Sequence, residues 1–96
     1  MRKTRLAQGE HAWLMFRLAG ALEQRVRAVP EVTDTELGIM AWVAAGELAA
    51  GNTSTGIDCS LQLQQQAHAV INAHRHLATP GDCMELARII VDRCAP

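Results

Sequence analysis

The chain has 96 residues, of which 49% are hydrophobic and 20% charged, and its only aromatics are Trp13, Phe16 and Trp42. Nine basic and ten acidic side chains leave a formal net charge of −1. Such a chain is too apolar and too weakly charged to stay unfolded, and without Tyr it lacks the usual strand-filling residues. One all-α domain covering residues 1–96 is expected, a bundle of about four helices, with residues 1–8 as a flexible lead-in.

The first predicted helix runs from about Thr4 to Val29 and stops at Pro30. At 100° per residue, Leu14, Met15, Leu18, Leu22, Val26 and Val29 form one broad apolar stripe, which marks a core-facing surface. Gly9 and Gly20 weaken the helix, so its ordered part is expected from near Glu10.

The second helix is predicted over Asp34–Ala50 and carries the clearest start signal. Thr33 and Glu36 have the spacing of a capping box, and Val32 and Leu37 that of a hydrophobic staple. Gly51 is the expected stop. A loop, GNTSTGI, follows at positions 51–57.

The third helix is predicted from about Asp58 to Ala78, capped by Asp58 or Thr55. Its apolar face collects Cys59, Leu63, Ala67, Val70, His74 and Leu77. The fourth opens on Thr79-Pro80-Gly81-Asp82, with Thr79 as cap and Pro80 as first helical residue, and continues to about Cys94. Cys83, Ala87, Ile90, Val91 and Cys94 form its core stripe, while Asp82, Glu85, Arg88 and Asp92 face water. So short a link makes helices three and four an antiparallel hairpin.

The surfaces are more informative than the motifs. Leu37, Met40, Ala41, Ala44 and Leu48 on helix two are matched on its far side by Ile39, Trp42, Val43, Gly46 and Ala50. A helix apolar all round needs covering all round, either by its own bundle or by a second copy or another protein. Helix one poses the same choice, because Trp13, Phe16 and Gly20 lie opposite its core stripe with Arg17, Gln24 and Arg27 around them. Aromatics rimmed by arginine are the composition of interface centres. The candidate partner-binding residues are therefore Trp13, Phe16, Arg17, Gly20, Arg27, Ile39, Trp42, Val43 and Gly46.

Charge is unevenly distributed. Residues 1–29 hold six basic and two acidic side chains, a sum of +4, and residues 30–96 hold three against eight, a sum of −5. Two halves of one domain that attract each other explain this, and so does a charged partner. The nucleic-acid alternative rests on Arg2, Lys3 and Arg5 as phosphate contacts. It is weakened because the helix after the loop starts at Asp58 and has no basic residue before Arg75.

Catalytic and metal signatures are not found. His68 and His76 share a helix face but stand eight residues apart, about 12 Å along the axis, too far to share one ion. His74, within the apolar stripe, is expected to be satisfied by a backbone carbonyl, and if buried to couple assembly to pH. Three cysteines without a CxxC read as small buried hydrophobes, although Cys59 and Cys94 are expected level with each other in the hairpin. No phosphate-loop, dinucleotide, zinc-protease or nucleophile-elbow motif is present.

The expectation is a small non-enzymatic protein-binding module, without cofactor or metal, that self-associates through apolar helix faces. An adaptor, a secretion chaperone or a phage or mobile-element inhibitor of a host protein all fit that description. No secretory signal or membrane span is evident, which points to the cytoplasm. Eight Arg to one Lys suggests a GC-rich bacterial or phage source.

Overall fold

Apolar residues recurring every three or four positions dictate helices, and Pro30 and the 78–82 turn separate them. The computed structural model describes residues 8–51 and 61–94. The described residues form four α-helices, α1 (Gln8–Arg27), α2 (Asp34–Gly51), α3 (Leu61–Ala73) and α4 (Cys83–Cys94), with a 3₁₀ turn at Arg75–Leu77. The described residues contain no strand. The expected all-α bundle is the observed architecture. The starts predicted for helices one and three fall on positions outside the described residues, as do Cys59 and the caps Thr55 and Asp58.

Helix α1 packs chiefly on α4, and α2 chiefly on α3, with α1 also against α2 and α3 against α4. Ion pairs show the chain direction. Arg25 meets Glu36 and Arg17 meets Glu47, so α1 and α2 run antiparallel. Arg75, just beyond α3, reaches Asp34 and the Val32 carbonyl at the start of α2. The result is an up-down-up-down arrangement with short connections at one end.

The predicted stripes form the core. Leu14, Leu18, Leu22 and Val26 from α1 meet Leu37, Met40, Ala41, Ala44 and Leu48 from α2. Leu63, Ala67, Val70 and Ile71 of α3 and Cys83, Leu86, Ala87, Ile90 and Val91 of α4 complete it. Ile71 and Leu86 were outside the expected stripes. Each of these helices touches at least two others and so buries a wider arc than one stripe. Met15, Leu77 and Cys94 sit at the core's margin instead of inside it.

Three local expectations are corrected. The capping box is half formed: Thr33 Oγ1 accepts the Glu36 amide at 3.2 Å, but the Glu36 carboxylate goes to Arg25 at 2.8 and 3.3 Å. A charged guanidinium is a stronger partner than a backbone amide. Second, α3 ends at Ala73, five residues before the predicted Ala78. The His74 amide is shared between the Val70 and Ile71 carbonyls, and its Nδ1 lies 2.9 Å from Val70 O. From His74 onward the backbone bonds shift to a spacing of three, with His74 to Ile71, Leu77 to His74 and Ala78 to Arg75, so the α-helix tightens into the 3₁₀ turn. Third, α4 begins at Cys83, not Pro80. Thr79 Oγ1 donates to Asp82 Oδ2 at 2.7 Å, and the Asp82 carbonyl accepts the Leu86 amide. Residues 79–82 therefore form a turn, and Asp82 is the residue from which the helix starts.

Candidate protein-binding surface

Helical periodicity that turns Leu14, Leu18 and Leu22 inward necessarily turns Trp13, Phe16 and Gly20 outward. Trp13 is 58% exposed and Phe16 62%, so the rest of the bundle does not cover this face. The same holds for α2, where Trp42 is 61% exposed and Ile39, Val43 and Gly46 are half-buried. Among the described residues, the chain's own helices leave the aromatics of both faces largely uncovered.

Trp13 is held in place. The Arg17 guanidinium lies 4.8 Å from the centre of its indole ring, and Arg17 Nη2 stands 2.8 Å from Glu47 Oε1 on α2. This chain of contacts joins the two helices and gives the exposed indole a cationic face. Arg27, the second expected rim residue, is exposed and bonded to Glu23 at 2.7 Å.

The candidate residues fall into two patches. Glu36 and Glu47 mark the side of α2 that faces α1, whereas Gly38 and Ala41 line a hollow shared with α3. Trp42 lies about 40° around the helix from Gly38 and about 140° from Glu47. It therefore belongs to the α2–α3 side, while Trp13 and Phe16 belong to the outside of α1. The structure does not merge the three aromatics.

Sequence reasoning missed two parts of this surface. Leu61, at the first turn of α3, is 67% exposed, and Met84 on α4 is also exposed. Leu61 lies beside the hollow lined by Gly38, Ala41, Gln64, Gln65 and His68, a largely apolar space of about 210 Å³. Its nearness to α2 depends on how two helices pack, and no local spacing announces it. A second, larger hollow of about 430 Å³ lies at the loop end of the bundle, among Val26, Arg27, Pro30, Glu31, Val32 and Pro80.

Charge is largely settled within the molecule. Arg17, Arg25, Arg27, Arg75 and Arg88 each approach a carboxylate at 2.6–2.9 Å. Two of these pairs join the basic first third of the chain to the acidic remainder, as the reading of two mutually attracting halves anticipates. Arg2, Lys3 and Arg5, on which the nucleic-acid alternative depends, lie outside the described residues. His68 and His76 are exposed, and His74 is half-buried with its ring 6.2 Å from that of His76. Among the described residues, no three His, Cys, Asp or Glu side chains are grouped to hold a metal. No described helix is long and apolar enough to cross a membrane.

The two described thiols are free. Cys83 is fully buried and donates to the Thr79 carbonyl at 3.2 Å. Burial foremost, then the charges of Glu23 and Asp82, push its pKa up to about 11, with Arg27 opposing. Burial also raises Cys94. A thiol held neutral in the folded state stabilises the fold fully below pH 9, where the unfolded thiol is also neutral. Above that the unfolded state gains by ionising, and stability falls as pH rises toward 11. Urea unfolding of the wild type is therefore expected to weaken between pH 9 and 11 by roughly 2 kcal/mol more than that of Cys83→Ala. Parallel profiles for the two proteins would refute this assignment.

A surface of exposed anchors with internally balanced charge is the chain's most distinctive chemistry. Comparison with family models, curated proteins and solved structures finds no match, so the functional reading rests on that chemistry alone.

Proposed function

We propose that this chain is a small non-enzymatic protein-binding module that associates with itself or another protein through its apolar outer helix faces. The observation that carries the reading is the exposure of Trp13, Phe16 and Trp42, each close to three-fifths accessible. Aromatic side chains are the costliest apolar surface to leave in water and the commonest anchors of interfaces. An adaptor or an inhibitor of another protein is the class of role such a module fits.

Sedimentation of the purified chain from micromolar to millimolar concentration tests this. The mass is expected to rise above the 10.4 kDa monomer, and Phe16→Asp combined with Trp42→Asp to return it to monomer. The reading is overturned if two results coincide. The chain would stay monomeric throughout, and the double variant would retain from its native extract every protein that the wild type retains.

A further inference from the structure

We infer that the hollow at the loop end of the bundle binds a small organic cation, an ammonium group on an aliphatic body, with Glu31 as its counter-ion. This goes beyond the protein-binding reading and does not depend on it.

The hollow lies where the two short connections meet. The segment after α1 and the turn before α4 enclose a space of about 430 Å³ with the end of α1. Small-molecule sites occupy roughly 300–1,000 Å³. The apolar walls are Val26, Val29, Pro30, Val32, Ala78 and Pro80. All are aliphatic, so they fit an aliphatic body and offer no ring on which a flat ligand could stack.

Glu31, which also lines the hollow, stands apart from the other acids. Each of the other described carboxylates meets an arginine or, for Asp82, the Thr79 hydroxyl. Among the side chains described, Glu31 is the one carboxylate with neither an ion pair nor a hydrogen bond. A full negative charge is therefore left beside an apolar recess.

The remaining polar groups also favour a donor. Thr79 lines the hollow, and its hydroxyl proton is committed to Asp82 at 2.7 Å, which leaves that oxygen an acceptor. Pro30 and Pro80 bring no N–H. Helix α1 ends here, so the negative end of its dipole opens on the space. Asp82 offsets the positive start of α4. Arg27 is the one cation on the wall, and its Nε is bonded to Glu23 at 2.7 Å, so that pair adds no net charge. A net negative, acceptor-rich recess selects an N–H-bearing cation over an anion or a neutral molecule. A bare metal ion does not fit, because one carboxylate among aliphatic walls cannot replace its hydration shell.

The test titrates the full chain with cyclohexylmethylammonium, with neutral cyclohexylmethanol and with anionic cyclohexanecarboxylate. Amide chemical shifts in two-dimensional NMR spectra locate each compound and give its dissociation constant. The ammonium is expected to shift the amides of Val29, Glu31, Val32, Ala78 and Thr79, with the millimolar binding usual for so small a ligand. The alcohol is expected to bind about fivefold more weakly, the upper worth of an exposed ion pair, and the carboxylate more weakly still. Glu31→Gln is expected to bring the ammonium down to the level of the alcohol and to leave the thermal melt unchanged, because the side chain has no partner to lose. An alcohol that binds as well as the ammonium, or ammonium binding indifferent to Glu31→Gln, overturns the inference. Shifts absent with all three compounds, or centred on Leu61 and Gln64, overturn the site itself. None of these results bears on the sedimentation of the chain, so this inference and the self-association reading fail separately.

Discussion

Leu18→Ala is expected to lower the unfolding free energy by about 3–4 kcal/mol and the thermal midpoint by roughly 15–25 °C. Leu18 is wholly inaccessible in α1, among Leu14, Leu22 and the facing residues of α2 and α4. Truncation removes buried methyl groups and leaves a cavity that the surrounding helices close only in part. Phe16→Ala, two residues earlier on the same helix, is expected to change stability by less than about 0.5 kcal/mol in dilute monomer. Its ring is already in water, so folding gains little from it. Thermal melts at low micromolar concentration compare the two directly. A comparable loss in both would show that the outer face of α1 is covered after all, and would remove the basis for calling it a binding surface.

Arg25→Leu is expected to cost about 2 kcal/mol, less than the full loss for breaking a deeply buried pair. Glu36 is the only buried charged residue among those described, and Arg25 Nη2 bonds both its oxygens. Without Arg25 the carboxylate remains in the α1–α2 seam with only part of its solvation restored. Two facts moderate the loss. Arg25 is 38% exposed, so water can reach the site, and its Nε is itself buried without a partner. Arg25→Leu combined with Glu36→Leu is therefore expected to recover most of the deficit. Urea midpoints for the wild type, both single variants and the pair complete the cycle. A double variant no more stable than Arg25→Leu alone would show that the seam needs the ion pair itself, not merely the absence of an orphaned charge.

Both expectations concern groups whose roles were unequally visible in the sequence. Leu18 is legible from spacing, because the three- and four-residue recurrence of Leu14, Leu18 and Leu22 leaves one inward face. Glu36 was legible only as a capping residue. Its cap position is real, since its amide bonds to Thr33, but its side chain answers to an arginine eleven residues upstream. His74 shows the same mixture. Its backbone-carbonyl partner was anticipated and is present at Val70, whereas the end of α3 that accompanies it was not. In both cases the local rule named the right atoms; for Glu36 an arginine competed for the carboxylate, and at His74 the backbone bonds shifted to a spacing of three.

The three aromatics illustrate where the division falls for function. Their scarcity, and their place off the inward stripes of α1 and α2, follow from the sequence alone, because helical periodicity fixes direction relative to the same helix's own core. The four helices, their core faces and the neutral stretch of α2 are determined in the same way. Only the packing of helices decided that the bundle leaves those aromatics uncovered, that Trp42 stands apart from Trp13 and Phe16, and that a recess opens between Gly38 and Leu61. Those properties depend on which helix lies beside which and at what separation. Side chains distant in sequence set them, so the spacing within any one helix does not carry them.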